Sequence, residues 1–244
     1  IFQHRLDALD LHAGAFTNLS RDHLDYHGTM DDYFSAKARL FSTLLSSHGT
    51  AVINTDDPCG EDLQKITAQR NLRTITFGRR KNTDLYLVDH TLQAGHQHVV
   101  FTGFGKTYTF DTQIAGGFQI MNLLCAMALC TTAGLTLDQM VTNMSSIVPP
   151  PGRLESIAGH PNGAYIYVDY AHKPDALLNV LQSLRAHDPR RLSVVFGCGG
   201  DRDAGKRPLM GEIAAQHADD ITITDDNPRG ENPATIRSAI LNGA

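Results

Sequence analysis

The sequence predicts an α/β protein in two parts: an incomplete α/β domain that contains a β meander, followed by a Rossmann-like domain. Between residues 85 and 110, β-branched and aromatic segments alternate with turn residues, which is typical of an antiparallel meander. From residue 164 onward, strand-like and helix-like segments alternate, which is typical of a parallel sheet with crossover helices. Between these regions, residues 149–152 read Pro-Pro-Pro-Gly and cannot continue a helix, so we place the domain boundary there.

Local signals predict the elements of the first part, residues 1–148. Asp57 and Pro58 predict a helix start, as cap and first-turn proline, and Thr136 predicts another as its cap. A polar loop rich in Asp and His is expected over 20–28. Besides the meander, strands are expected over 14–19, 51–54 and 74–77, and helices over 31–45, 118–133 and 136–146.

The second part, residues 149–244, shows a regular alternation of strands and helices. Strands are expected over 164–168, 192–196 and 220–224, and helices over 175–186, 208–217 and 233–241. Such an order predicts one parallel sheet whose ligands bind at the carboxyl ends of its strands.

Composition excludes several classes of function. Hydrophobic residues make up 41% of the 244 positions and charged residues 19%, which is ordinary for a globular protein of two domains. The net charge of −5 offers no basic surface for nucleic acid or for an anionic membrane, and no apolar stretch is long enough to cross one. Four scattered cysteines without a C-x-x-C pair favour free thiols in the cytoplasm over disulfides or a zinc site.

A charged loop follows the last predicted strand. Residues 225–229 read Asp-Asp-Asn-Pro-Arg, and a helix that starts with Pro233 comes next. Its place at the end of a strand indicates a recognition loop. Pro228 restricts its backbone, and Arg229 offers a planar fork suited to a carboxylate or a phosphate.

A glycine-rich turn follows the preceding strand, over residues 197–207. It is not a phosphate-binding P-loop, because Lys206 is followed by Arg rather than Ser or Thr, and it contains no G-x-G-x-x-G. We therefore expect its glycines to let the backbone approach a small ligand, which Arg202 contacts.

Three further tracts carry candidate site residues, each with an ordinary alternative. His23 and His27 lie four residues apart beside acidic residues, so they either ligate a cation or form a hydrogen-bonded turn. Lys37 is either a surface residue of an amphipathic helix or, with a lowered pKa, a lysine that adds CO₂ and becomes an anionic carbamate. Asp169 either caps the next helix or binds ribose hydroxyls, and Arg153 is placed to meet a phosphate.

These tracts resemble those of the Mur ligases, the ATP-dependent enzymes that build the peptidoglycan stem peptide. The similarity lies in T-N-L-S-x-D-H-L-D-Y-H-G at 17–28, V-D-Y-A-H-K-P-D at 168–175, G-C-G-G-D-R-D at 197–203 and D-N-P-R at 226–229. It implies that residues 1–148 are the C-terminal part of a central ATPase-type domain. Residues 149–244 would be a truncated amino-acid-binding C-terminal domain.

The resemblance also implies roles for single residues. His23 and carbamylated Lys37 would hold Mg²⁺ and serve catalysis, and Gln3 and Arg5 would bind the UDP-muramoyl peptide. Gln119 stands where the family has an Asn of its adenine-binding helix, so it is either a changed contact or a simple helix start. The implied ATP-binding residues are Asn122, Arg153, Asp169 and His172, and the implied amino-acid-binding residues are Arg202, Asp226, Asn227, Pro228 and Arg229.

Arg229 further predicts which amino acid is added. Meso-diaminopimelate carries a distal carboxylate that lysine lacks, and a guanidinium that is always charged favours a carboxylate over a bare ammonium. The resemblance then implies that ATP phosphorylates the D-glutamate γ-carboxylate of UDP-MurNAc-L-Ala-D-Glu and that the amine of diaminopimelate displaces phosphate. We expect a monomer.

Three alternatives to a diaminopimelate-adding ligase remain open from the sequence. A lysine-adding ligase or a folylpolyglutamate synthase would share the ATPase half, and a non-catalytic amino-acid-binding module would need no ATP. The 244 residues contain no P-loop, and we expect a piece of a longer protein that lacks sequence on both sides. We therefore expect this chain alone to be inactive; ATP-dependent amide formation by the purified chain would contradict that.

Overall fold

The computed structural model describes residues 1–21, 24–93, 96–157 and 160–244. The chain separates into two compact units. The first contains Ile1–Leu19 and Thr29–Val148, and the second contains Ser20–Gly28 and Pro149–Ala244. Among the described residues, no helix combines the length and the apolar character needed to cross a membrane.

One six-stranded sheet forms the centre of the first unit. Its strands lie side by side in chain order. The first four strands pair in parallel, and the fourth, fifth and sixth pair antiparallel, so that the predicted meander extends a parallel sheet. The strands are β1 (Leu11–Phe16), β2 (Leu45–Asn54), β3 (Arg73–Gly78), β4 (Leu85–Gln93), β5 (His96–Gly103) and β6 (Lys106–Thr112).

Four helices lie among the described residues of the first unit, together with the sheet. The apolar helix α4 contributes Leu124 and Met127 to the same core as Phe101 of the meander, and all three are almost fully buried. Thr29 caps α2 through a hydrogen bond from the Asp32 backbone N–H. The helices are α2 (Met30–Arg39, continued by a π-helical turn over Leu40–Leu44), α3 (Gly60–Gln69), α4 (Gly117–Thr132) and α5 (Leu137–Thr142, with a 3₁₀ turn over Met144–Ser146).

The predicted start of α3 is wrong. The helix begins at Gly60 rather than at Asp57 and Pro58. The carboxylate of Asp57 accepts hydrogen bonds from the backbone N–H groups of Cys59 and of Leu19, at 2.9 and 2.7 Å. Asp57 therefore stabilises a turn and the chain that leaves β1, which are contacts that a local capping rule cannot anticipate.

The second unit has a core of its own between three helices and a short parallel sheet. Leu181, Met210 and Ile240 from the three helices pack together with Phe196. Its strands are β7 (Glu155–Ile157), β8 (Ile166–Val168), β9 (Ser193–Phe196) and β10 (Asp220–Ile223), and its helices are α1 (Leu24–His27), α6 (Pro174–Arg185), α7 (Lys206–His217) and α8 (Pro233–Leu241). The short helix α1 lies within the stretch predicted to be a loop.

The prediction of one parallel sheet in this unit is wrong in one respect. Strands β9 and β10 pair in parallel as expected, but β8 pairs antiparallel with β7, a strand that was not predicted. The apolar residues of β8 are exposed, with Ile166 at 40% and Val168 at 46%. Only three residues form each strand, which is too few for a readable alternation of apolar and polar positions.

Candidate functional site

Two loops leave the carboxyl ends of neighbouring strands in the second unit. Strands β9 and β10 are parallel, with Phe196 paired to Ile223 at the end of the register. The carboxyl ends of parallel strands meet at one edge of a sheet, so the loops that follow them are neighbours. We name residues 197–205 the glycine loop and residues 224–232 the DNPR loop.

The backbones of the two loops are in direct contact at Gly200. Its backbone N–H donates to the carbonyl oxygen of Asn227 at 3.1 Å, and Nη1 of Arg229 donates to the carbonyl oxygen of Gly200 at 2.8 Å. A Cβ atom on Gly200 would lie 1.8 Å from the carbonyl oxygen of Pro228. Glycine is therefore required here by the neighbouring loop, whereas the sequence reading attributed these glycines to a ligand.

Hydrogen bonds also run in both directions between Asp201 and the end of the DNPR loop. The backbone N–H of Asp201 donates to Oε1 of Glu231 at 2.6 Å. In return, the backbone N–H of Gly230 donates to Oδ2 of Asp201 at 3.0 Å. Carboxylates make strong hydrogen bonds with backbone N–H groups, so these contacts hold the two loops in one arrangement.

Helix α7 anchors this arrangement through Arg207. Its Nη1 and Nη2 donate to Oε2 and Oε1 of Glu231 at 2.8 and 2.7 Å, a bidentate ion pair. The Arg207 side chain is 4% exposed and that of Glu231 29%. This hydrogen bonding lowers the pKa of Glu231 and raises the pKa of Arg207, so both groups stay charged near neutral pH.

Three non-glycine residues of these loops have a left-handed backbone. The φ angles are 51° at Asp201, 39° at Asn227 and 50° at Arg229. This conformation costs about 1–2 kcal/mol for an ordinary residue, although Asn and Asp tolerate it better. The contacts between the loops must offset that cost, and such strain is found mostly at functional sites.

The predicted amino-acid-binding residues line these loops, and most of their polar groups face solvent. Arg202, Asp226 and Asn227 are exposed, and their side chains make no hydrogen bond or ion pair within the described part of the chain. Arg229 is also exposed and uses only Nη1, which contacts the carbonyl oxygens of Gly200 and Asn227. Its Nε and Nη2, one complete edge of the guanidinium, have no partner among the residues the structure describes.

The predicted ATP-binding residues of the second unit lie near one another before α6. The guanidinium of Arg153 lies 5.0 Å from the centre of the Tyr170 ring. Nδ1 of His172 is 2.9 Å from the carbonyl oxygen of Tyr170, and Lys206 Nζ donates to the carbonyl oxygen of His172 at 2.6 Å. The structure therefore connects this tract to the first turn of α7, next to Arg207.

Asp169 stabilises the backbone of the same tract. Its Oδ2 accepts a hydrogen bond from the backbone N–H of Leu154 at 2.8 Å, and its Oδ1 accepts one from Ala171 at 2.7 Å. Each carboxylate oxygen has a second lone pair, so these contacts leave capacity for a hydroxyl donor. Asp169 thus joins the start of β7 to the end of β8, which the sequence did not indicate.

In the first unit, Gln119 and Asn122 lie on the first turns of α4 and are joined to each other. Asn122 Nδ2 donates to Gln119 Oε1 at 2.8 Å, with Gln119 8% exposed and Asn122 at the surface. The pair leaves an amide oxygen on Asn122 and an amide nitrogen on Gln119 as further polar groups. An amide oxygen and an amide nitrogen together match the donor and acceptor pattern of an adenine edge.

The remaining candidates are described only in part. Gln3 and Arg5 are exposed on a turn that Asp7 holds against α2 through a bidentate ion pair with Arg39, with both distances 2.6 Å. His23 lies outside the described residues. Lys37 is half-buried on α2, with its Nζ 5.1 Å from the centre of the Tyr33 ring.

The described residues contain no cluster of three His, Cys, Asp or Glu side chains that could hold a metal ion. Mg²⁺ prefers oxygen ligands, which the ammonium of Lys37 does not offer and a carbamate on Lys37 would. The described residues therefore do not by themselves provide a Mg²⁺ site, and a carbamate on Lys37 would add one oxygen ligand.

Sequence reasoning missed Asp201, Arg207 and Glu231, which hold the site together. Arg207 and Glu231 are separated by 24 residues, so no local pattern links them. The available signal was two adjacent cations, Lys206 and Arg207, at the start of a helix with an apolar face. Both are buried, and buried cations require partners.

Comparison with known protein families gives two matches. The model of the Mur ligase middle domain matches residues 1–130, and that of the Mur ligase glutamate ligase domain matches residues 152–244.

Two curated relatives illustrate the similarity at the level of sequence. The UDP-N-acetylmuramoyl-L-alanyl-D-glutamate–2,6-diaminopimelate ligase of Chelativorans sp. (strain BNC1) is 48% identical over 240 residues, which are 98% of this chain and 49% of that protein. The ligase of the same name from Zymomonas mobilis subsp. mobilis is 44% identical over 242 residues, which are 99% of this chain and 50% of that protein. The chain spans about half the length of the curated relatives it matches.

Solved structures show the same fold. A UDP-N-acetylmuramoyl-L-alanyl-D-glutamate–2,6-diaminopimelate ligase structure is 36% identical with a TM-score of 0.67, and the match covers 100% of this chain and 50% of that one. The folylpolyglutamate synthase of Mycobacterium tuberculosis gives a TM-score of 0.80 at 20% identity, over 97% of this chain and 53% of that one. The second match concerns the fold alone. The α/β fold predicted from the sequence is confirmed.

We predict that Gly200→Ala destabilises the second unit by about 1–3 kcal/mol, because the new methyl group collides with the backbone of Pro228, which cannot move aside as a side chain can. Gly199→Ala is the matched control, since its Cβ would meet the movable guanidinium tip of Arg229 at 2.8 Å. Urea denaturation of the purified chain measures both. Equal midpoints for the two variants would contradict the prediction.

Proposed function

The chain belongs to the Mur ligase family, and we propose that the whole protein containing it is an ATP-dependent ligase that adds meso-diaminopimelate to UDP-MurNAc-L-Ala-D-Glu. The observation that carries this proposal is the open edge of Arg229, whose Nε and Nη2 have no partner in the described chain. That edge matches a carboxylate in a bidentate arrangement. The names of relatives that are 42–48% identical support the same substrate.

Selection of the amino acid follows from the charges on the DNPR loop. Meso-diaminopimelate ends in a carboxylate and an ammonium on one carbon, and lysine ends in an ammonium alone. Arg229 attracts the carboxylate, and the exposed groups of Asp226 and Asn227 accept hydrogen bonds from the ammonium. Pro228 keeps these side chains on a restricted backbone, and Arg202 adds a second cation on the glycine loop.

We propose for the whole protein the reaction that the resemblance to the Mur ligases implies. The γ-carboxylate of D-glutamate attacks the γ-phosphorus of ATP, and ADP leaves with the electrons of the broken P–O bond. The amine of diaminopimelate then attacks the acyl phosphate, loses a proton, and expels phosphate as the amide forms. Mg²⁺ supplies charge neutralisation for the phosphoryl group, and we assign it to His23 and to the carbamate of Lys37.

The other roles are assigned on the same basis. We assign ATP to Asn122, with Gln119 beside it, and to Arg153, Asp169 and His172. The UDP-muramoyl peptide is assigned to Gln3 and Arg5. The contacts among Arg153, Tyr170 and His172, and the exposure of Gln3 and Arg5, support these assignments.

The domain assignment is also part of the proposal. Residues 1–148 would be the C-terminal part of the central domain, and residues 149–244 a truncated C-terminal domain. The two compact units and the spans of the two family models support this division, except that Ser20–Gly28 groups with the second unit. A cytoplasmic monomer stays a prediction.

The alternatives make different use of the DNPR loop. A lysine-adding ligase has no carboxylate to place on Arg229, and a folylpolyglutamate synthase has no reason to keep the sequence from Asp226 to Arg229. A non-catalytic module would bind diaminopimelate in the same way with and without ATP. In a diaminopimelate ligase the open edge of the guanidinium binds the distal carboxylate of the substrate, whereas a lysine-adding ligase or a folylpolyglutamate synthase has no such use for it.

We predict that Arg229→Met in the whole protein lowers kcat/KM for meso-diaminopimelate about 10- to 150-fold, which corresponds to the loss of a charged hydrogen bond. For L-lysine, kcat/KM stays the same or rises, because the repulsion of the distal ammonium is removed. Steady-state amide formation with both amino acids measures the ratio. Arg185→Met, which removes a remote ion pair with Asp219, is the control. A wild type that does not use meso-diaminopimelate would overturn the proposed substrate, and an unchanged ratio in Arg229→Met would overturn the assignment of amino-acid selection to Arg229.

We predict that incubation of the whole protein with carbon-13-labelled bicarbonate produces a carbamate carbon signal in its NMR spectrum, and that Lys37→Gln removes it. A neutral lysine amine can attack CO₂, and binding of Mg²⁺ would favour the product. Lys65→Gln is the control, because Lys65 is an exposed helix lysine paired with Asp62. A signal that survives Lys37→Gln, or its absence from the wild type, would contradict the assignment.

A further inference from the structure

The position of Arg229 depends on neighbouring residues, because its own backbone is in an unfavourable conformation with a φ of 50°. Within the described ranges of the chain, only Nη1 of its guanidinium has partners, the carbonyl oxygens of Gly200 and Asn227. The next residue, Gly230, is attached to Asp201, and Glu231 beyond it is attached to the backbone of Asp201. The open edge of Arg229 is therefore only as well oriented as these contacts.

Glu231 connects the loop that carries Arg229 to helix α7. Three hydrogen-bond donors converge on its two oxygens, namely Nη1 and Nη2 of Arg207 and the backbone N–H of Asp201. Arg207 is buried in the first turn of α7, next to residues of the core of the second unit. A continuous path of contacts thus runs from α7 through Arg207 and Glu231 to the loop that carries Arg229.

We propose that the Arg207–Glu231 ion pair is a positioning pair that orients the open edge of Arg229 and thereby sets the preference for an amino acid with a distal carboxylate. This inference rests on the proposed function, which it deepens by naming residues that determine specificity without touching the substrate. A substrate carboxylate needs both Nε and Nη2 at the correct angle, so a small rotation of Arg229 weakens a bidentate contact more than a single one.

A second ion pair contacts the DNPR loop but does not orient Arg229. Arg237 donates to Asp225 at the start of the loop, and both side chains are partly exposed. Exposed pairs contribute little rigidity, and this one is separated from Arg229 by Pro228 and its neighbours. In the bidentate pair, Glu231 lies two residues after Arg229, and the Arg207 side chain is shielded from solvent.

Glu231→Gln is the sharpest variant because it preserves size while breaking the pattern of donors. A glutamine offers one oxygen and one NH₂ group, but all three groups that face Glu231 are donors. Its NH₂ must therefore face either Arg207 or the N–H of Asp201, and one contact is lost. Arg207→Lys is a second, milder variant that keeps the charge and removes the bidentate fork.

The test is a double-mutant cycle in the whole protein, with wild type, Glu231→Gln, Arg229→Met and the double variant. The quantity measured is the ratio of kcat/KM for meso-diaminopimelate to that for L-lysine. We expect Glu231→Gln to lower this ratio about 10- to 100-fold, mainly through KM for diaminopimelate, with KM for ATP unchanged. In the double variant the ratio should equal that of Arg229→Met alone, because Glu231 acts through Arg229.

The outcomes separate this inference from the proposed function. If wild type prefers diaminopimelate and Arg229→Met removes the preference, but Glu231→Gln leaves the ratio unchanged or lowers it further on top of Arg229→Met, only the inference is overturned. If wild type does not use diaminopimelate, the proposed function is overturned and the inference with it. Thermal melting shows whether Glu231→Gln folds, and Arg207→Lys completes the same cycle if it does not. Arg185→Met should leave the ratio unchanged, and a fall in that control would also overturn the inference.

Discussion

The carboxylate of Glu231 accepts hydrogen bonds from the guanidinium of Arg207 and from the backbone of Asp201, and the arrangement of two loops depends on it. Without this acceptor, the buried guanidinium of Arg207 would keep only a long contact with the carbonyl oxygen of Gly199 among the described residues, and the backbone N–H of Asp201 would lose its partner. The same contacts offset the cost of the left-handed backbone at Asp201 and Arg229. The strained backbone of the two loops therefore depends on the charged carboxylate of Glu231.

Close packing between the loops leaves recognition groups exposed. Gly200 has no room for a side chain, so the backbones of the two loops meet directly and form a firm base. Arg229 uses one nitrogen for this base and presents the other two to solvent. A binding group held on one side and open on the other is pre-organised, which lowers the entropy lost when a ligand binds.

The tract before α6 also combines stability with a candidate binding role. Asp169 accepts hydrogen bonds from the backbone just before β7 and just after β8, and Lys206 joins His172 to α7. Lys206 and Arg207 are adjacent, so one helical turn is attached both to the tract assigned to ATP and to the loop assigned to the amino acid. The first turn of α7 thus supports both the tract before α6 and the DNPR loop.

Local sequence patterns were sufficient to predict the bounds of an element where the segment was long and periodic. The meander, α2, α4 and the three helices of the second unit appear close to their predicted bounds, because their apolar spacing and caps are encoded within each segment. Prediction failed where distant residues compete for a local signal. Asp57 was predicted to cap a helix but accepts a hydrogen bond from the backbone of Leu19. Residues 164–168 were predicted to form a strand of one parallel sheet, but residues 166–168 pair antiparallel with β7, a strand of only three residues that was not predicted.

The sequence by itself determined the fold class, the order of the main elements and the residue types at the two loops, because these depend on composition and on spacing of a few residues. It also marked Arg229 and Arg202 as candidates, since a charged loop after a strand lies at a predictable edge. Only the tertiary structure decided that Gly200 serves loop packing and that Arg207 and Glu231 form the anchor. It also decided which edge of Arg229 stays open. These features require residues far apart in the chain to meet, and no local pattern records which of them will do so.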